Sequence, residues 1–147
     1  MELRLAVSQK DILFLYTTRT HPDVDPMLTG RAPSDLSEHL RYISKVQEKS
    51  KWIFVSIVDD AAVGYSQIYD VTKNKLEVGF VIHPDYQGRG LGKQIVKITI
   101  EKSKDLFPNR SITLYVKEDN IKAIYIYQSF GFKKVASNAG LIYMELE

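Results

Sequence analysis

No cysteine occurs in the 147 residues. That excludes a disulfide framework, thiolate metal sites and a cysteine nucleophile, and it leaves the redox compartment unreadable. No apolar run approaches a membrane span. The longest uncharged stretches, such as Ala123 to Phe132, reach 10 residues, against the roughly 20 that a spanning helix needs. Excess charge is missing too: 20 basic against 18 acidic residues leave +2, mixed along the chain. That is too weak and too dispersed to argue for nucleic acid or an anionic membrane. The opening "MELRLAVSQKD" carries acids early and lacks an apolar h-region, so it is not expected to act as a secretory leader, and a cytoplasmic protein is expected. His21 and His39 have no carboxylate or second histidine at ligand spacing, so no metal is expected. There is no repeat, low-complexity tract or linker. With 44% hydrophobic and 26% charged residues, the expectation is a single domain over 1–147 with a substantial core.

The pattern that is present alternates strand and helix signals. Residues 2 to 7 read as a strand and Ser8 to about Thr18 as a helix. "RTHPDVDPMLTGRAP" holds three prolines and a glycine, and so blocks regular structure until Ser34. Leu36, Leu40, Ile43 and Val46 then form one stripe of a helix capped by Ser34 or Asp35. "KWIFVSIV" and "AAVGYSQIY" flank an Asp59-Asp60 turn and form a hairpin. "KLEVGFVI" (75–82) is apolar on both faces apart from Glu77, the mark of a central strand. Helix 91–106 places Leu91, Ile95, Ile98 and the stem of Lys102 on one side. "SITLYV" (111–116) is a strand, Asn120 to Ser129 a helix ending at Gly131, and "FKKVA" and "GLIYMELE" are closing strands. The order β-α-α-β-β-β-α-β-α-β-β predicts a mixed α/β (α+β) sheet with helices on its faces.

"HPDYQGRGLGKQIV" (83–96) sets Gly88, Gly90 and Gly92 at the mouth of a helix. A dinucleotide fingerprint needs G-x-G-x-x-G directly after a strand. Here Lys93 stands at the third glycine position, four residues separate strand and motif, and the residue expected to be acidic, 112, is isoleucine. The stretch instead suits a phosphate seat. Bare amides at the positive end of a helix can approach phosphate oxygens closely, because no Cβ holds them away. Arg89, Lys93 and Lys97 add positive charge along one side.

These residues resemble the GNAT superfamily of N-acetyltransferases. Gln87, Gly90 and Gly92 fill its Q/R-x-x-G-x-G/A pattern, flanked by the strand end "VIHPDYQ" and the helix "KQIVKITIEKSK". "LYVKEDNIKAIYIYQSFGFKKV" resembles the family's second signature, a strand, Asn, helix, Tyr and Gly-Phe in order. The likeness covers about residues 51 to 136. It implies a mostly antiparallel central sheet in which parallel strands 75–82 and 111–116 splay. It also implies acetyl-coenzyme A as co-substrate, its pyrophosphate on Gln87, Gly88, Arg89, Gly90, Leu91, Gly92 and Lys93, and its pantetheine arm between the splayed strands.

Acetyl transfer from a thioester needs a neutral amine, a polarised carbonyl, in-line reactants and a stabilised leaving thiolate. Tyr127 occupies the family's tyrosine position and is the candidate proton donor, since a phenol stays protonated at neutral pH; a core aromatic is the plainer reading. Glu77 is the candidate base, because partial burial raises a carboxyl pKa; a strand residue paired with a lysine is the alternative. Asn120 reads as a helix N-cap, and the resemblance adds coenzyme contact. Amides near Val81 are candidates to hold the thioester carbonyl. His83, before Pro84, reads as a turn residue.

The segment before residue 50 resembles that of members acetylating amino groups on nucleotide-linked sugars. Those carry Trp-Arg-Asn where this chain has Thr18, Arg19 and Thr20. Arg19, His21 and Arg41 are candidates for an anionic acceptor group, with Arg19 and His21 foremost. The expected activity is acetylation of a primary amine on a small molecule, such as an aminosugar nucleotide. Two alternatives stay open: acetylation of a protein N-terminus or lysine, and an acetyl-CoA-sensing module without turnover. Oligomeric state is not fixed by the sequence, and a homodimer is one option.

Overall fold

The computed structural model describes residues 1–29, 32–48 and 51–146, with the side chains of 46–48 outside the described set. The elements are β1 (Glu2–Leu5), α1 (Gln9–Arg19), α2 (Leu36–Glu48), β2 (Lys51–Val58), β3 (Ala61–Thr72), β4 (Lys75–Ile82), α3 (Leu91–Leu106), β5 (Ser111–Lys117), α4 (Ile121–Ser129), β6 (Lys133–Asn138) and β7 (Leu141–Leu146). The strands form one sheet in the order β1-β2-β3-β4-β5-β7-β6. Its neighbours are antiparallel except for β4 and β5. The mixed α/β class, the element order and the central place of β4 are as expected from the sequence. No described helix is long and apolar enough to cross a membrane.

Strand alternation sorts the core into two layers. Phe54, Ile68, Leu76, Val78, Ile112, Leu114 and Val116 face one way, where they pack with Ile95, Val96 and Ile100 of α3. Ile53, Val55, Ile57 and Tyr65 face the other way, against Leu15 of α1 and Ile43 of α2. Ser8 caps α1 by accepting the Asp11 N–H at 3.0 Å. Buried Asp11 then accepts from Arg4 at 2.7 Å, tying the helix to β1.

The helices turn different faces inward than the apolar stripes predict. On α2, Leu36 and Leu40 are 42% and 46% exposed, whereas His39 and Ile43 are buried. The reason is a satisfied histidine: His39 Nε2 lies 3.1 Å from the Ile12 carbonyl oxygen and its ring meets Tyr16, clamping α2 to α1. Val46, the last residue of the predicted stripe, has its side chain outside the described residues. On α3, the buried face is Leu91, Ile95, Val96, Thr99, Ile100 and Ser103, not the line through Ile98 and Lys102. Thr99 and Ser66 share a buried hydrogen bond of 2.7 Å, and these short side chains let α3 lie close on β3. The Pro-rich loop carries one short 3-10 turn, Asp25–Met27.

Gly64 on β3 has no room for a side chain, since a Cβ there would run into the Val81 carbonyl oxygen. Gly64→Ala should therefore cost about 1–3 kcal/mol of stability through forced separation of the two strands. Urea denaturation checks this, with an unchanged midpoint as the contrary result.

Candidate active site

β4 and β5 pair over only three residue pairs, Lys75↔Ser111 to Glu77↔Thr113. The last rung is closed by the Thr113 hydroxyl, which donates to the Leu76 carbonyl at 2.7 Å. Beyond it each strand keeps only its outer neighbour, β3 or β7. Backbone groups alternate sides along a strand. The Ser111 N–H bonds to Asn74 O and the His83 N–H to Val63 O, so even-numbered residues of β4 face β5 and odd-numbered ones face β3. The main-chain groups left facing the gap are therefore those of Phe80 and Ile82. Of the amides near Val81 singled out from the sequence, that of Val81 itself points to β3, while those of Phe80 and Ile82 face the gap.

On the α1–α2 side, register lines up rows across three strands. Lys51, Tyr69 and Glu77 form one row, Ile53, Gln67 and Gly79 the next, and Val55, Tyr65 and Val81 the third. Tyr69 donates to Gln67 and lies 3.1 Å from the Tyr42 hydroxyl. Lys51 Nζ stands 4.4 Å from the centre of the Tyr69 ring, and the Arg19 guanidinium 4.5 Å from that of Tyr42. Burial pushes the Glu77 carboxyl above the usual carboxylate range, partly offset by the Lys51 charge. Tyr69 and Tyr65 are held far above the ordinary phenol range, chiefly by burial. A Cβ built on Gly79 meets nothing within 4 Å, so the floor beside Glu77 is open.

The glycine turn lies at the outer end of the gap. Gly88 and Gly90 both have φ +77°, a left-handed conformation suited to glycine. Gly90 is the N-cap of α3 and supplies no side-chain cap, leaving the first-turn N–H groups without a side-chain acceptor. Gln87 Nε2 donates to the Ile82 carbonyl at 3.0 Å, anchoring the turn to the end of β4. Across the gap, Asn120 caps α4 through a 3.3 Å bond from the Ala123 N–H. Tyr127 packs its ring 5.7 Å from Phe80 and 6.0 Å from Phe132. Burial pushes its hydroxyl up to about 12.

One cavity of about 1100 Å³ joins these features. Arg19, Glu77, Val81, Gln87, Gly88, Gly90, Leu91, Gly92, Lys93, Asn120 and Tyr127 all line it. Three sequence candidates do not: Arg41, which is exposed on α2, Arg89 and His21. Arg89 folds back, its Nη2 donating to the Asp85 carbonyl at 3.3 Å with the guanidinium 5.3 Å from the centre of the Tyr86 ring. His21 accepts the Asp23 N–H at Nδ1 and packs edge-on to His83 at 5.6 Å. Residues that sequence reasoning missed are Tyr42, Lys51, Tyr65, Gln67, Tyr69 and Gly79 on the floor, and Ile121, Lys122 and Tyr125 at the outer wall. Lys51 opens a largely apolar run and Gln67 follows Ser66, so neither position carries a local pattern that would mark it as part of a site.

The sequence model described as the acetyltransferase (GNAT) family matches residues 17–132. The acetyltransferase PseH of Campylobacter jejuni subsp. jejuni (strain 81-176) is 29% identical over 86% of this chain and 79% of its own length. The spermine/spermidine N(1)-acetyltransferase of Bacillus subtilis is 44% identical over a shorter stretch, 37% of this chain and 36% of its own. Among solved structures, Campylobacter jejuni N-acetyltransferase PseH in complex with acetyl coenzyme A superposes with a TM-score of 0.80, at 21% identity and 99% and 97% coverage of the two chains. Spermidine N-acetyltransferase from Vibrio cholerae in complex with CoA and spermine gives 0.85, at 16% identity and 98% and 92% coverage.

The raised pKa of Glu77 has a stability consequence of definite sign. Between its ordinary and its raised pKa the folded chain binds more protons than the unfolded one, so stability falls as pH rises through that window. Glu77→Gln should thus be more stable than the parent at neutral pH, and the advantage should shrink as the pH drops below the ordinary carboxyl range. Denaturation midpoints at pH 7.5 and pH 4 test this; a variant less stable at neutral pH would show that Lys51 more than compensates burial.

Proposed function

The chain belongs to the acetyltransferase (GNAT) family and uses acetyl-coenzyme A as acetyl donor, and we propose that it delivers the acetyl group directly to a primary amine on a small molecule. The observation carrying this reading is the gap itself. Glu77 stands at its inner end, Tyr127 packs on Phe80 further along, uncapped amides lie at its outer end, and one cavity spans them all. The residues fit the donor: an open slot for an extended arm, and glycines where phosphates must reach the backbone.

In the proposed step, the amine nitrogen attacks the thioester carbonyl carbon, the carbon–sulfur bond breaks, and the amine proton passes to Glu77 directly or through water. A base with a carboxyl pKa raised by burial is better matched to that task near neutrality. The Phe80 and Ile82 amides facing the gap are placed to hold the carbonyl oxygen as charge builds there. Tyr127, pushed up to about 12, keeps its proton and gives a hydrogen bond to the leaving sulfur, which departs as thiolate. A thiol ordinarily ionises near ~8.5, so a completed transfer from this phenol is not required. Holding both substrates in line supplies much of the remaining acceleration.

For the acceptor, we favour an amine on a hydroxylated, anionic carrier such as an aminosugar nucleotide. Tyr42, Gln67 and Tyr69 offer neutral hydrogen-bonding groups beside two cations, Arg19 and Lys51. A polyamine is the second reading, supported by Asp23 and Glu38 on the cavity wall and by the spermidine and spermine relatives. An acceptor screen read by mass spectrometry, with aminosugar nucleotides, polyamines, amino acids and peptides side by side, separates them.

Tyr127→Phe should lower kcat about 10²–10³-fold with little change in acetyl-CoA affinity; unchanged single-turnover chemistry would remove Tyr127 from the step. Gly90→Val should weaken acetyl-CoA binding without unfolding, since a Cβ there meets no neighbour within 4 Å while φ +77° disfavours a branched residue. Calorimetry showing unaltered affinity would refute the phosphate seat.

A further inference from the structure

α4 shows an aromatic and aliphatic strip to solvent beside the coenzyme turn. Ile121 and Tyr125, one helical turn apart, are 69% and 67% exposed, although the same helix packs Ala123, Ile124, Ile126 and Tyr127 toward the core. Ile126 also touches the first turn of α3, its Cδ1 lying 3.4 Å from a Cβ built on Gly92. Lys122 stands one turn before Ile126 on the same stripe. Ile121, Lys122 and Tyr125 line the same cavity as Gly88, Gly90 and Lys93. The strip is thus continuous with the proposed phosphate seat, on its outer side.

We propose that Tyr125, with Ile121 beneath it, is a stacking platform for the adenine base of acetyl-CoA, and that Lys122 faces the ribose phosphate. This inference rests on the phosphate seat of the preceding section. With the diphosphate on the α3 mouth and the acyl arm running inward, the nucleoside is the part left at the outer wall. A purine has an apolar face of the size a tyrosine ring covers, and stacking tolerates exposure on the opposite side. The Tyr125 ring, two-thirds exposed on the wall of the cavity that holds the glycine turn, presents a surface on which such a base would stack.

The test uses the full chain and three probes: acetyl-CoA, acetyl-phosphopantetheine, which lacks the nucleoside, and adenosine 3′,5′-bisphosphate, which lacks the acyl arm. Tyr125→Ala should raise the Kd for acetyl-CoA and for the bisphosphate by about 5- to 20-fold, Tyr125→Phe should change neither, and acetyl-phosphopantetheine should bind both variants like the parent. Lys122→Ala should penalise acetyl-CoA more than its 3′-dephospho form. Equal affinities of Tyr125→Ala and the parent for acetyl-CoA, or equal losses for acetyl-CoA and acetyl-phosphopantetheine, would overturn the platform. Gly90→Val distinguishes the two readings: its failure to weaken acetyl-CoA removes the seat, whereas a Tyr125 failure with an intact Gly90 effect removes only the platform.

Discussion

The structure depends on two parallel strands that stop pairing. β4 and β5 share a short ladder that ends at Glu77 and Thr113, and each then continues against its outer neighbour alone. Main-chain groups in a sheet interior ordinarily find partners, because leaving them unmet is costly. Parting the strands therefore leaves the Phe80 and Ile82 backbone groups to a side chain, to water or to a substrate. Gln87 takes the Ile82 carbonyl. What remains is a slot lined by directed donors, held open because neither strand can move without breaking its outer ladder.

The slot also connects the two faces of the sheet. Glu77 belongs to the row that includes Lys51 and Tyr69, on the α1–α2 side. Tyr127 belongs to the α3–α4 side, packed on Phe80. In the proposed mechanism, a thioester threaded between the strands would meet Glu77 on one side and the Tyr127 hydroxyl on the other. Desolvation is the leading cause of the raised pKa for both groups. For Glu77 this favours the protonated form and costs stability above the ordinary carboxyl range, whereas Tyr127 simply keeps its proton at neutral pH.

Much of this was legible in the residues. The apolar run with a lone acid at Glu77, the triple glycine and the Asn120 cap are local signals, and local signals survive without tertiary knowledge. The floor was not legible, because it depends on register. The Asp59-Asp60 turn starts the hairpin at Val58↔Ala61, but an irregularity between Ser56 and Ile57 shifts the pairing by one, giving Ser56↔Gly64 and then Lys51↔Tyr69. Continuing the turn's register would have set Lys51 opposite Ile68 and broken the row beside Glu77. A one-residue bulge exchanges which side chains are neighbours, and apolar periodicity does not reveal it. Arg89 and His21 lie off the cavity for a different reason: their charge and titratability are visible in the sequence, but their contacts with the Asp85 carbonyl and the His83 ring are not.

The helix mouths differ in a way that bears on the proposed phosphate seat. α1 and α4 begin with side chains that satisfy a first-turn amide, Ser8 and Asn120, and Asp35 accepts the Glu38 N–H at the start of α2. Such a cap is worth about 1 kcal/mol. α3 is the longest described helix and begins with Gly90, whose left-handed backbone aims the chain into the helix but offers no acceptor. A chain that caps its other described helices and leaves this one open places unmet donors at the positive end of its largest dipole, on the rim of its main cavity. An anion bound there would recover the missing cap energy and add charge-assisted hydrogen bonds. That supports placing the donor's phosphates on this turn, and it explains why Lys93 lines the cavity while Arg89, bound to the turn before it, need not.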